Sequence, residues 1–129
     1  MKVRNINPWL WQDKLSFSQA VEASGTVLYC AGQASVDAAG YPIHIGDMRT
    51  QMIQAFDNLA TLLAQSGYTF ANVVRLNYYT TDVAAFHASY DVVTERLRDC
   101  PVKPSGSLLG VSELALPDLL VEIEATAVR

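Results

Sequence analysis

Near the C-terminus, Glu122 and Glu124 interrupt an apolar run, Leu119-Leu120-Val121-Glu122-Ile123-Glu124-Ala125. Residues two apart on an extended chain point the same way, so both carboxylates share one face of a strand. A carboxylate beside a cleft can orient water or move a proton. Other chemistry has less support. His44 and His87 are the two histidines, and neither has an acidic neighbour at triad or metal-ligand spacing. They read as surface or helix-face residues. Cys30 and Cys100 make no CxxC pair and no zinc-ligand pattern, so no metal is expected. Both read as free thiols of a reducing compartment, Cys30 as a small buried residue of a strand and Cys100 at a helix end. Ser18, Ser105 and Ser107 lack a GxSxG elbow or a paired base, which argues against a serine nucleophile. Arg75 lies inside a strand and reads as a surface or interface ion-pair partner. Arg49, Arg96 and Arg98 lie on helices and read as solvated.

Composition bounds the function classes. The chain has 129 residues, half of them hydrophobic and 17% charged, with a net charge of −4. This is one globular domain spanning residues 1–129, large enough to bury a core without metal or disulfides. Its basic residues are scattered, and an acidic chain has no pull on a polyphosphate, so no nucleic-acid partner is expected. No apolar run nears the ~20 residues of a membrane span, and no signal-like segment follows Met1-Lys2-Val3-Arg4. The expected location is cytoplasmic, with no membrane partner and no cofactor.

The elements that must carry these residues follow from periodicity. Thr26 to Ala31 reads as a short buried strand, and Ser18 to Glu22 as its hairpin partner across Ala23-Ser24-Gly25. Val36 to Gly40 is a turn. Asp47 caps a helix over Met48 to Ser66, its stripe being Met48, Met52, Ala55, Phe56, Leu59, Leu62 and Leu63. Gln51, Gln54, Asp57, Asn58 and Gln65 fall on the other side, and Gly67 ends the helix. Val73 to Thr81 is a strand with faces Val74, Leu76, Tyr78, Thr80 and Val73, Arg75, Asn77, Tyr79. Thr81 or Asp82 caps a second helix with the stripe Val83, Phe86, Tyr90, Val93 and Leu97, ending near Cys100-Pro101. Ser107 to Ser112 and Leu119 to Val128 are strands. Two helices cover one sheet face, and nothing in the chain remains to cover the other, so an oligomer is expected. Residues 1–16 form an N-terminal arm. Its Trp9 and Trp11 either wall a cleft beside Phe17 or pack the arm on the sheet edge.

Phe17-Ser18-Gln19-Ala20-Val21, Tyr29-Cys30-Ala31-Gly32-Gln33, the helix from Gln51 to Leu62, Val73-Val74-Arg75-Leu76 with Tyr79-Thr80-Thr81-Asp82, and Leu119 to Ala125 follow one another in an informative order. Together they resemble the RidA (YjgF) family, from about Phe17 to the end of the chain. The resemblance implies an α+β, chorismate-mutase-like fold, with a mixed sheet of five to six strands and two helices on one face. It implies a homotrimer with a small-molecule cleft at each subunit interface. It also implies hydrolysis of 2-imino or enamine acids to ammonia and a 2-keto acid.

The family's site maps unevenly onto this chain. An arginine in Pro-x-Arg-Ser/Thr grips the substrate carboxylate there, and the corresponding stretch here is Pro104-Ser105-Gly106-Ser107. Gly106 stands in place of that arginine. Glu122 matches the water-orienting glutamate. Phe17 takes the place of a tyrosine, and Ala31-Gly32 that of a Ser-Gly backbone pocket. A charge-assisted hydrogen bond is worth ~1.5–3 kcal/mol, so losing the clamp weakens carboxylate binding by about two orders of magnitude. Ser105, Ser107 and the Gly106 N–H still suit a neutral or weakly charged ligand. The expectation is a divergent imine or enamine deaminase, a hydrolase using Glu122 and water, with low activity on 2-imino acids. The alternative is a non-catalytic metabolite-binding trimer. RNA cleavage, an activity sometimes attached to the family, fits least with the negative charge. Gly106→Arg is expected to raise activity on 2-imino acids if the frame is intact.

Overall fold

The computed structural model describes residues 2–129. Its core is organised by α1 (Met48–Gln65). The Asp47 carboxylate accepts the Thr50 N–H at 3.0 Å, which satisfies one of the donors a helix start leaves open. Met52, Phe56, Leu59 and Leu63 are buried along one stripe. Gly67, at φ 78°, ends the helix in the left-handed region, as its position predicts. One expectation on α1 is corrected. Gln51 does not sit on the polar side but is fully buried. Its amide donates to His44 O (3.2 Å) and Asp118 O (2.9 Å) and accepts from Leu120 N–H (2.8 Å). Helical periodicity cannot reveal a glutamine that serves as a clip between two loops.

α1 packs on a mixed sheet of β3 (Val27–Tyr29), β4 (Gln33–Ala34), β5 (Val73–Thr80), β6 (Leu108–Gly110) and β7 (Val121–Val128). The order is β3-β7-β5-β6, and β4 also pairs with β7. β5 and β6 run parallel, while the pairs made by β7 are antiparallel. Leu76, Tyr78, Val121, Ile123, Ala125 and Ala127 face the helices and are buried. Arg75, Asn77, Tyr79, Glu122 and Glu124 alternate with them, so they share the opposite face, and among the described residues no helix covers that face. Simple alternation puts Val73 with Arg75. Instead Val73 is buried, because the pairing with β7 shifts between Val73 and Arg75. A bulge of this kind adds one residue and turns the strand over.

Two further expectations fail. Ser18 to Glu22 does not pair with the following strand. β2 (Ala20–Ser24) pairs antiparallel with β1 (Lys2–Ile6) as a separate two-stranded sheet. Gly25, at φ 141°, turns the chain away, and Thr26 then exchanges backbone hydrogen bonds with Arg129 at 2.7 and 3.1 Å. β3 is also not a buried strand, since Val27 and Tyr29 are exposed.

The second helix is two: α2 (Val83–Ala88), capped by Asp82 on Ala85 N–H at 3.0 Å, and α3 (Asp91–Arg96). At the joint Ser89 and Tyr90 bond back three residues, to Phe86 O and His87 O, which tightens the turn and breaks the α ladder. Phe86, Val93 and Leu97 keep the expected stripe and are buried. After α3, Lys103 Nζ donates to the carbonyls of Leu97 (2.6 Å), Arg98 (3.0 Å) and Cys100 (3.0 Å), which the helix end leaves without partners.

Candidate functional site

The joint between α2 and α3 has a consequence for the site. It leaves the Tyr90 hydroxyl free to donate to Leu15 O at 2.6 Å, tying the N-terminal arm to the helical layer. Between them lies a cavity of about 240 Å³. Leu15, Ser16 and Phe17 wall it from the arm, and Leu76 and Tyr78 from β5. His87 and Tyr90 come from the helical joint, and Pro104, Gly106, Ser107 and Leu108 close the far side. No Lys, Arg, Asp or Glu lines it. The arm is held in place by Ser18, whose hydroxyl donates to Lys103 O (2.6 Å) and whose N–H donates to Pro104 O (3.0 Å). Trp11 packs edge-on against Phe17, with ring centroids 5.6 Å apart, and extends that aromatic wall outward. Trp9 and Trp11 are both exposed.

The second place of interest is on the uncovered sheet face. A pocket there is lined by Gly32, Tyr79, Glu113, Glu122 and Glu124, among others. Glu122 and Glu124 do point the same way, yet their situations differ. Glu124 accepts the Tyr79 hydroxyl at 3.0 Å and an Asn77 amide at 3.4 Å. The bond to Glu124 holds the Tyr79 phenol above its ordinary pKa. Glu122 lies against Gly32 so closely that a Cβ at residue 32 would overlap its carboxylate. It takes part in none of the four ion pairs among the described residues. One carboxylate of the pair is thus occupied with holding the sheet face, and the other is seated on backbone and uncommitted.

The expected site residues therefore divide. Phe17, Gly106 and Ser107 meet in the cavity, and Gly32 and Glu122 meet on the open face. Ala31 is exposed next to Gly32, its carbonyl accepting Gln33 Nε2 at 3.1 Å. Ser105 lines neither pocket and donates its hydroxyl to Val74 O at 3.2 Å. Within one chain, Gly106 and Glu122 do not share a pocket. No arginine lines either place. Arg75 is exposed on the open face, outside both.

Gly106 is more than a missing side chain. A Cβ there would fall on the Leu76 carbonyl oxygen, so the loop has closed against β5. Ser107 N–H donates to the Asn77 side chain at 3.1 Å instead of to strand backbone. The expectation that Gly106→Arg would restore a clamp is corrected accordingly, because the backbone already occupies the space. Sequence reasoning also passed over Tyr78, His87 and Tyr90 as cavity residues. The three-residue step from His87 to Tyr90 puts both on one helical face, but only the arm's position shows what that face meets. Tyr90, desolvated by burial, has its phenol pushed up to about 12, and burial drives Tyr78 well above the ordinary value. Both remain protonated donors. Cys30 is free and buried, as expected, Cys100 is free, as expected, and buried as well, and desolvation raises both thiols.

The comparisons with known proteins agree among themselves. The family described as Endoribonuclease L-PSP matches residues 12–129. A RutC family protein of Aquifex aeolicus is 34% identical over 113 residues, covering 88% of each chain. A Dermatophagoides farinae protein named 2-iminobutanoate/2-iminopropanoate deaminase is 33% identical over 112 residues, 87% of this chain and 84% of its own. A crystal structure of a Yersinia pestis protein of the conserved Rid family, itself of unknown function, superposes with a TM-score of 0.91 at 36% identity over 100% of both chains.

Proposed function

Because this chain belongs to the Endoribonuclease L-PSP family, the YjgF/RidA group, we propose that it holds a small molecule in a cleft completed between copies of itself. The copies form a homotrimer that covers the open sheet faces. Each cleft joins the Phe17–Gly106 cavity of one copy to the Glu122–Gly32 seat of its neighbour. The exposed Tyr29 and Leu109 support this, because they pair with Thr126 and Tyr79 and so add apolar area to the same uncovered face.

The reaction is imine hydrolysis. Glu122 accepts a proton from water as the oxygen attacks the C=N carbon and hands it to nitrogen, giving a carbinolamine; it then takes the carbinolamine hydroxyl proton and passes it to nitrogen as the C=O bond forms and the C–N bond breaks. Imine and water become carbonyl compound and amine, or ammonia for an unsubstituted imine. The observation that carries this reading is the Glu122 carboxylate, seated on Gly32 with no cation to neutralise it. The substrate is neutral or weakly charged, because no guanidinium reaches either half of the cleft. Activity on 2-imino acids is correspondingly low.

Cleavage of RNA draws no support from the charge distribution. Arg4, Arg49, Arg96 and Arg98 are paired with Glu22, Asp91, Asp57 and Glu95, and Lys103 is wrapped in carbonyls, so five of the nine basic side chains are already engaged within the chain.

A coupled assay on freshly generated imines tests the reading. Turnover of an uncharged imine above that of 2-iminobutanoate, lost in Glu122→Gln, supports it. Fast hydrolysis of 2-imino acids refutes the argument from Gly106. Saturable binding without ammonia or amine release leaves a metabolite-binding trimer instead.

A further inference from the structure

Tyr78 is 8% exposed, packed 5.3 Å from Phe86 by ring centroids, and among the described residues its hydroxyl meets no hydrogen-bond partner. The other phenols around it are engaged: Tyr68 donates to Thr26 O, Tyr79 to Glu124 and Tyr90 to Leu15 O. Leaving a buried hydroxyl without a partner is costly. Among the described residues no side-chain oxygen that is wholly sealed from solvent lacks a partner. The Tyr78 oxygen must therefore open on a space, and the cavity is the space Tyr78 lines. Tyr90 lines the same cavity, so the two phenol rings border one space.

We infer that this cavity binds an uncharged, ring-sized molecule whose single carbonyl oxygen or imine nitrogen accepts a hydrogen bond from Tyr78. Size supports a ring, since an apolar cavity of about 150 Å³ already takes benzene, and this one is about 240 Å³. Shape does too: Phe17, Tyr78 and Tyr90 offer aromatic walls against which a flat molecule stacks or packs edge-on. Apart from the His87 imidazole the lining holds no Lys, Arg, Asp or Glu, so a charged group would be desolvated with little compensation. This deepens the proposed function by naming the substrate class for the apolar half of the cleft, and it rests on that half alone, not on Glu122.

Acetophenone, the ketone that hydrolysis of an aryl ketimine releases, is the probe. Titrated into the whole protein and followed by Trp fluorescence or amide NMR shifts, it should bind saturably. Benzoate should bind at least about tenfold more weakly. Tyr78→Phe should weaken acetophenone about three- to tenfold, the worth of one neutral hydrogen bond. Leu108→Trp, which fills the cavity, should abolish binding. In protein labelled with 13C at the tyrosine ring, the Tyr78 signal should move on binding, which reads the contact without any substitution. Equal affinity for benzoate, unchanged affinity in Tyr78→Phe, an unmoved Tyr78 signal or no saturation each overturns the inference. Glu122→Gln separates the two claims. Acetophenone binding that survives there beside wild-type protein without imine turnover refutes only the hydrolysis.

Discussion

The cavity behind Phe17 and the carboxylate seat at Gly32 belong to neighbouring strands of one sheet, yet they are finished to different degrees. The cavity is walled by four parts of its own chain, arm, strand, helical joint and loop, and opens on its remaining side. The seat has backbone beneath it, is flanked by Val111, Leu114 and Ala115, and is more open. The cavity lacks charge, while the seat carries Glu122, with Glu113 and Glu124 beside it. In the proposed reading the difference is a division of labour, in which one copy supplies the apolar walls and a second copy supplies the carboxylate.

The sharpest way to break this comparison is at the seat. Glu122→Gln should lower turnover of an uncharged imine by about 10²–10⁴-fold, the usual worth of a positioned proton-transfer group, with the melting temperature unchanged. A rate that persists would strip the open face of its chemical role. Next, charge placed on that face should prevent assembly. Tyr29→Asp combined with Leu109→Asp is expected to leave a folded monomer in sedimentation velocity, with turnover lost. Hydrolysis by a monomer would mean that the two halves need no second copy.

A smaller effect tests the cavity's far wall. Gly106→Arg should cost about 1–3 kcal/mol in urea unfolding, because the new Cβ must displace the Leu76 carbonyl. It should bring no gain on 2-imino acids. The smallest is Tyr90→Phe, which removes the bond to Leu15 O and should cost about 0.5–1.5 kcal/mol. Amide exchange should quicken around Leu15 to Phe17 and stay unchanged at Gly32, which separates the two regions once more.

Much of this arrangement is legible from residues alone, and the reasons for the rest are physical. α1 is readable because cap, stripe and terminating glycine are local signals that agree. The shared face of Glu122 and Glu124 is readable because strand alternation is strict where no bulge intervenes. The pairing of β2 is not, since Ser18 to Glu22 suits either neighbour, and the backbone at Gly25 with the Thr26–Arg129 contact decides for β1. Gln51 misleads because a buried amide looks like a polar surface residue until its three partners are seen. At the site, the absence of an arginine is plain in Pro104-Ser105-Gly106, but the closure of the loop onto Leu76 is not. Nor is Tyr78 as a cavity donor, because its partnerless hydroxyl is a property of everything around it.

The bulge at Val73–Arg75 has a last consequence. Val74 is the surplus member of its strand, and its carbonyl accepts both the N–H and the hydroxyl of Ser105, at 3.0 and 3.2 Å. An irregularity in counting thereby becomes an anchorage for the loop that carries Gly106. Deleting Val74 would make the ladder regular and take away two of the bonds that hold that loop, leaving those from Leu76 and Tyr78 N–H to Ser105 O and Ser107 O, so this fold steadies its hollow by declining to be a perfect sheet.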